Sequence, residues 1–141
     1  MSSLIPANAV EWVIGNGNYN KVGIRSVLIT NHTTLKRIVI GEICFGNVRV
    51  FELDGLSELE SVVIGKRSLS LNPADPWDSE RTNSACRIVN CPKLKSIQIG
   101  DCSFSDYHSF ELSNLPSLQS VEIGWKCFYY TASFSLTGMI D

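Results

Sequence analysis

The sequence has no excess of basic residues, no long apolar run and only two histidines. Its formal net charge of -2 argues against a dedicated nucleic-acid-binding protein, because such proteins normally carry a basic patch. No apolar stretch approaches the roughly 20 residues that a membrane-spanning helix needs. We therefore expect a chain that neither binds nucleic acid nor spans a membrane.

A repeat of about 24 residues runs through most of the sequence. Four segments align without gaps, and each begins with leucine and ends with glycine: 35–41, 59–65, 94–100 and 118–124. A weaker first copy ends at Gly15, and the five glycines are 26, 24, 35 and 24 residues apart. A large apolar residue follows each glycine by four positions: Tyr19, Phe45, Leu69, Phe104 and Phe128. A fixed period of this length is typical of solenoid proteins.

Each repeat contains two short segments in which apolar residues alternate, as they do in half-buried strands. We call the Leu-x-x-Ile-x-Ile segment strand A and the preceding Phe-x-Leu segment strand B. The strands A are predicted to form one parallel sheet, in sequence order, at 35–40, 59–64, 94–99 and 118–123. The strands B are predicted to form a second sheet at 27–29, 51–53, 86–88, 110–112 and 134–136. The glycine after strand A is expected to turn the corner with a positive φ.

The spacing of 35 residues locates one insertion, at about 70–85. This stretch contains Pro73, Pro76 and several charged residues, a composition typical of a loop. The sequence therefore predicts one mainly β repeat domain over residues 9–138, with about five repeats, two parallel sheets and little helix. Residues 1–8 are predicted to be an N-terminal tail.

The charged residues support this stacking, because like charges on neighbouring parallel strands would repel each other. At the centre of strand B the charges alternate in sign through Glu52, Arg87 and Glu111. Two further columns alternate in the same way: Lys36, Glu60 and Lys95 in strand A, and Glu42, Lys66 and Asp101 after the glycine. The alternation predicts that equivalent residues of successive repeats lie side by side.

The repeat resembles a known family. The pattern from Leu94 to Ile99 resembles the core of a leucine-rich repeat, and the pattern from Ile99 to Phe104 resembles that of the BspA-like subclass. The resemblance covers residues 9–138 and implies a right-handed β-solenoid with a role in protein interaction. The asparagine usual after the strand is absent, and its place is taken by Ile43, Arg67, Cys102 and Lys126. Because strand B replaces any helical pattern, we expect a slim β-solenoid and not a helix-backed horseshoe.

The reactive residue types fall at positions that favour packing over chemistry. Four of the five cysteines take core positions of the repeat, where a free thiol acts as a small apolar side chain: Cys44, Cys86, Cys91 and Cys127. His32 takes the position of Leu56 in the next repeat and is predicted to replace it in the core. His108 falls in a loop, so the two histidines form no acid–base pair. The sequence therefore predicts no enzyme, no cofactor and no metal site.

The cysteines also bear on location. An odd number of cysteines is unusual for a disulfide-stapled secreted domain. Met1 to Asn8 lack the basic and apolar segments of a secretory signal. These features predict reduced thiols and a cytoplasmic or other intracellular location.

Two features are candidate protein-binding sites. One is the outward column of strand A, whose first members are Val13, Val39 and Val63, with three charged residues beside it: Lys36, Glu60 and Lys95. The other is Trp77 in the insertion, because long insertions in repeat proteins are often functional. The alternatives are that β-branched residues simply favour strands and that the insertion is neutral.

The function predicted from these features is a protein-interaction or scaffold module with an unidentified protein partner. The alternative is a structural fragment of a larger repeat array with no partner of its own. Aromatic and apolar residues are concentrated after Gly124, and no charged cap follows them. Because the open end of a solenoid exposes half of a core layer, the sequence also predicts end-to-end self-association.

Overall fold

The computed structural model describes residues 5–21, 23–70, 84–128, 131 and 133–138. Within these residues the chain forms ten short strands and no helix. The five strands A are β1 Glu11–Ile14, β3 Arg37–Ile40, β5 Ser61–Ile64, β7 Ser96–Ile99 and β9 Ser120–Ile123. The five strands B are β2 Ser26–Thr30, β4 Val50–Asp54, β6 Ala85–Val89, β8 Ser109–Ser113 and β10 Ser133–Thr137.

The ten strands build a β-solenoid of about five turns with two parallel sheets. Sheet A has the strand order β1-β3-β5-β7-β9, and sheet B has the order β10-β8-β6-β4-β2. The pairing follows the repeat alignment residue by residue, so that Ile38 pairs with Val62 and Val62 pairs with Ile97. The insertion between β5 and β6 leaves this register unchanged, since Phe51 pairs with Cys86. The predicted fold, strand positions and sheet order are confirmed.

The core lies between the two sheets and is built from alternate residues of both. Within β7, Ile97 and Ile99 are buried, whereas Gln98 between them is exposed. Phe110 and Leu112 of β8 face the same core from the other sheet and are each 1% exposed. Phe104 stacks on Phe128 at 5.0 Å between ring centroids and fills one edge of the core.

The glycine after strand A is required for close approach between turns. The predicted positive φ at this glycine is wrong: the positive-φ glycines are Gly17, Gly55 and Gly138, which occupy other slots. A Cβ atom on Gly65 would lie 2.6 Å from the carbonyl carbon of Gly41, closer than packed atoms tolerate. Glycine therefore lets the backbones of successive turns come into contact at this corner.

The corners instead use left-handed backbone at residues other than glycine. After strand A, positive φ occurs two positions beyond the glycine, at Ile43, Arg67, Cys102 and Lys126, and four positions beyond it, at Tyr19, Phe45, Leu69, Phe104 and Phe128. After strand B it occurs at Asn31, Asn90 and Asn114. Such a conformation costs of order 1–2 kcal/mol for residues with a Cβ. Bonds between turns hold it in place, as where the Ile43 N–H donates to the Lys66 carbonyl at 3.0 Å.

A ladder of small polar side chains links the turns inside the same corner. The Ser103 hydroxyl donates to the Gly65 carbonyl at 2.8 Å and accepts the Ser68 N–H at 3.2 Å. The Ser68 hydroxyl likewise donates to the Gly41 carbonyl, at 2.6 Å. Cysteine takes this position in other turns, and the Cys127 thiol donates to the Gly100 carbonyl at 3.0 Å. In the first turn the Asn18 side-chain amide donates to the Gly15 carbonyl at 2.9 Å, so the residue before the apolar anchor is small or polar in every turn.

One contact joins turns that are not adjacent in the stack. The buried Tyr107 donates its hydroxyl to the Val48 carbonyl at 2.5 Å, 59 positions earlier in the sequence. Burial raises the pKa of Tyr107 well above its usual value.

At the N-terminus, Ile5 belongs to the core cluster, and the Ala9 N–H donates to the Pro6 carbonyl at 3.0 Å. The same turn bond recurs in later repeats, as between Leu118 and Leu115.

Candidate functional site

The outward face of sheet A brings three of the predicted binding residues together. Val13 pairs with Val39, and Val39 pairs with Val63, so the three side chains form one column across β1, β3 and β5. Val13 is 61% exposed, and the other two are partly buried. Valines in register on one outward face form a continuous apolar surface, whereas scattered ones would be ordinary. We call these three residues the valine column.

Val10 extends this surface and was not predicted. It is 50% exposed, and its carbonyl accepts the Lys36 N–H at 2.7 Å. The bond shows that Val10 occupies the position of Lys36 in the preceding turn. The 26-residue shift that aligns Gly15 with Gly41 also aligns Val10 with Lys36. The sequence could therefore have placed Val10 on this face through that shift. The start of the first repeat is hard to recognise, however, because Ala9 stands where later repeats have leucine.

The three predicted charged residues form a second column beside the first. Lys36, Glu60 and Lys95 are all exposed. The Glu60 N–H donates to the Lys36 carbonyl at 2.8 Å, and the Lys95 N–H donates to the Glu60 carbonyl at 2.9 Å. The side chains therefore stack in alternating sign next to the valine column. The face thus places an apolar column directly beside a column of alternating charges.

The outward face of sheet A becomes polar towards its C-terminal side. Val63 pairs with Gln98, and Gln98 pairs with Glu122. The Gln98 side-chain amide donates to the Glu122 carboxylate at 3.3 Å. The apolar part of the face is thus confined to the first three turns.

The outward face of sheet B, by contrast, is occupied by its own ion pairs. The Arg87 guanidinium lies 3.0 Å from Glu52 on one side and 3.0 Å from Glu111 on the other. The hydrogen bond from Arg87 is the main cause that lowers the pKa of the Glu111 carboxyl. The same bond raises the pKa of Arg87. These charges already have partners, so this face offers less to a ligand than sheet A does.

A shallow groove lies at the corner after strand A. Its walls carry charges of both signs, and its lining residues are Glu42, Ile43, Lys66, Arg67, Asp101, Cys102 and Trp125. Trp125 is 69% exposed, and the Lys126 ammonium lies 4.5 Å from the centre of its ring. No single charge dominates, so the groove shows no preference for an anion or a cation. Trp77, the remaining predicted binding residue, lies outside the described residues.

Three of the cysteines and His32 are packed within the fold, whereas His108 is exposed. All five cysteines are free, and Cys44, Cys86 and Cys91 are buried. Burial raises the pKa of the Cys86 thiol far above its usual value, which keeps it protonated. His32 is partly buried rather than fully packed in the core: its Nε2 lies 2.9 Å from the Pro6 carbonyl, and its Nδ1 lies 3.1 Å from the Leu35 N–H. It therefore ties the N-terminal segment to the first full turn.

The described part of the chain contains no group of three or more histidine, cysteine or acidic residues placed to hold a metal ion. It also contains no helix long and apolar enough to cross a membrane. Comparison with known proteins gives no match to any protein-family model, any curated protein or any solved structure.

Proposed function

We propose that this protein is a non-catalytic protein-interaction module that binds its partner through the outward face of sheet A. The observation that carries the proposal is the in-register valine column with the exposed Val10 at its N-terminal end. These residues lie on the outward face of a sheet whose strands pair regularly from β1 to β5. Binding to it would bury apolar area with little loss of conformational freedom in the protein.

The difference between the two sheets supports this choice of face. Valine favours strands wherever it occurs, so strand propensity alone would place β-branched residues on both outward faces. The equivalent central column of sheet B instead holds Glu52, Arg87 and Glu111, which pair with each other. The valines of sheet A have no such partner among the described residues. A protein segment with apolar side chains, flanked by charges complementary to Lys36 and Glu60, fits this surface.

We also propose that the repeat is a divergent leucine-rich repeat of the BspA-like subclass. Support comes from the strand A pattern, in which Leu35, Ile38 and Ile40 are all at most 1% exposed. The repeat departs from the family pattern in two ways. Strand B replaces a helix, and the position of the usual asparagine is taken by residues with left-handed backbone: Ile43, Arg67, Cys102 and Lys126. An intracellular location is part of the proposal and is supported by the five free cysteines.

The alternative function is a structural element of a larger repeat array with no partner of its own. The exposed apolar side chains of the C-terminal turn favour it, since Phe134 is 52% and Leu136 is 55% exposed. The two hypotheses differ in which surface matters. The first requires the outward face of sheet A, and the second requires only the end of the solenoid.

A matched pair of variants tests the proposed face. Val13→Lys places a charge on the valine column, and Leu28→Lys places the same charge on the outward face of sheet B at the same end of the solenoid. Leu28 is 43% exposed, so both changes should leave the fold intact. We expect proteins captured quantitatively from cell extract by the unsubstituted chain to be lost with Val13→Lys and retained with Leu28→Lys. Retention of the same proteins by Val13→Lys would contradict the proposed face.

A further inference from the structure

The C-terminal turn exposes side chains that every earlier turn buries. In sheet A, Val121 and Ile123 are 37% and 40% exposed, although they occupy the inward slots of β9. In sheet B, Phe134 and Leu136 occupy the inward slots of β10 and are more than half exposed. The end of the solenoid therefore presents an open layer of core, formed by residues from both sheets. We call these four residues the open layer.

The opposite end of the solenoid is closed. Trp12 and Ile14 occupy the inward slots of β1, the other edge strand of sheet A, and are 8% and 4% exposed. Val27 and Ile29 of β2, the other edge strand of sheet B, are at most 1% exposed. The described residues of the N-terminal end thus include no equivalent apolar layer that could cover the open one.

Within the described residues, the two edge strands of the last turn carry few of the features that usually block pairing. Edge strands are normally protected by charged residues, proline, bulges or a covering segment. β10 has the sequence Ser-Phe-Ser-Leu-Thr, with neither charge nor proline, and β9 has one charge, Glu122. The alternating charges of sheet B end at Glu111, and Ser135 is the uncharged member that follows. As far as the described residues go, another strand could therefore pair with either edge without burying an unpaired charge, since Glu122 already accepts a hydrogen bond from Gln98.

We propose that a second copy of this chain covers the open layer in a tail-to-tail dimer. Head-to-tail stacking would set the open layer against an end whose core side chains are already covered. A two-fold axis perpendicular to the sheets instead sets the open layer of one copy against that of the other. It pairs β9 with its counterpart, and β10 with its counterpart, in antiparallel fashion. Such an isologous interface closes on itself, as most homodimer interfaces do.

The strands allow this pairing without electrostatic conflict. Directly opposed residues of antiparallel strands point to the same face, so a register centred on Val121 sets Glu122 opposite Ser120 of the partner. A register centred on Ser135 sets the two copies of Ser135 opposite each other and Phe134 opposite Leu136 of the partner. No like charges meet in either pair. This dimer is independent of the proposed partner-binding face, because it uses the end of the solenoid.

Cross-linking tests the orientation. In a background that carries Cys102→Ser and Cys127→Ser, because both native thiols are only partly buried, Ser135→Cys should be joined to its counterpart by a short bis-maleimide linker. The covalent dimer should be absent from the background protein treated in the same way. Leu28→Cys is the matched control at the same slot of β2 and should give no dimer. A cross-link that requires Ser135→Cys mixed with Leu28→Cys would show head-to-tail contact and overturn the proposal. The absence of any Ser135→Cys product at a concentration where the protein is dimeric would overturn it as well.

Sedimentation equilibrium tests the contact itself. The chain should form a dimer and no larger species as its concentration rises. Leu136→Lys should weaken dimerisation at least about tenfold, because a lysine would be buried without a partner. Leu28→Lys, the same change at an exposed position of the other end, should leave dimerisation unchanged. A strictly monomeric chain would overturn the proposal, and if Leu136→Lys failed to fold, the Ser135→Cys result would still decide it.

Discussion

The two C-terminal turns of sheet B carry the same residues in the same slots but in different surroundings. Phe110 and Leu112 of β8 are each 1% exposed, whereas Phe134 and Leu136 of β10 are 52% and 55% exposed. The sequence of the repeat determines which way a side chain points in both turns. Burial is supplied by the turn that follows along the solenoid. The comparison shows that stability in this fold is shared between neighbouring turns.

Sheet A shows the same difference in burial between its last two turns. Ile99 is 3% exposed and Ile123 is 40% exposed, although both are the last residue of their strand and both precede the glycine. The sequence of a single repeat does not determine this difference in exposure, because the exposure depends on whether another turn packs against that repeat. The predictions below test how much each position relies on its neighbours.

The largest expected effect is a difference in the free energy of unfolding between alanine variants of Phe110 and Phe134. Phe110→Ala should lower the free energy of unfolding by about 3–5 kcal/mol, the usual cost of removing a fully buried aromatic ring. Phe134→Ala should cost about 1 kcal/mol, because half of its ring is already in water. Urea denaturation should be measured at concentrations low enough for the chain to be monomeric.

The matched pair provides its own control, since both changes remove the same atoms from the same slot. Equal losses for the two variants would show that the last turn is as well packed as the one before it. That result would contradict the open layer. A loss from Phe134→Ala that grows with protein concentration would instead support burial of this ring in a dimer.

The next effect concerns the glycine contacts. Gly65→Ala should cost about 1–3 kcal/mol, the usual range for overpacking, because its Cβ would lie 2.6 Å from Gly41 and Gly100 stacks on its other side. Gly124→Ala should cost less, since the last turn can move away from Asp101. Gly23→Ala is the control, because a Cβ there would have no atom within 4 Å. Thermal unfolding of the three variants checks the order, and a neutral Gly65→Ala would refute close approach as the reason for this glycine.

Much of the fold could be predicted from the sequence because the repeat constrains it many times over. Gap-free alignment of Leu94 to Gly100 with the other copies gave the strands, the register and the sheet order. The reason for the glycine could not be predicted, because positive φ and close approach both require glycine at a fixed spacing. Left-handed backbone at Ile43 could not be predicted either, since a β-branched residue normally disfavours it. Only the hydrogen bonds between turns make that conformation acceptable.

The candidate site was predicted in part for a related reason. The valine column follows from the register alone, so the sequence was sufficient to place Val13, Val39 and Val63 together. Val10 was missed because Ala9 conceals the start of the first repeat. The concentration of apolar residues after Gly124 was visible in the sequence, but the closed N-terminal end depends on contacts such as that between His32 and Pro6. Such contacts occur once and have no period to reveal them.

The smallest expected effect concerns the charged column of sheet B. This column runs through Glu52, Arg87 and Glu111 in the middle turns, and the uncharged Ser135 takes the same position in the last turn. Arg87→Met should lower the free energy of unfolding at pH 7 by about 0.5 kcal/mol, because exposed ion pairs contribute little. The hydrogen bond from Arg87 lowers the pKa of Glu111 in the folded state. The stabilisation is therefore present above the unfolded-state pKa of glutamate, about 4.3, and is lost as the pH falls through the lower folded-state pKa.

The difference between Arg87→Met and the unsubstituted protein should accordingly shrink as the pH falls below about 4 and disappear once folded Glu111 is protonated. Urea denaturation across that pH range measures it. Lys66→Met is the control, because it removes an exposed cation that makes no ion pair among the described residues, and it should show no such pH dependence. A difference for Arg87→Met that stayed constant down to low pH would show that Arg87 acts through packing of its aliphatic stem. In that case the alternating charges would mark the register of the strands without stabilising the middle turns over the last one.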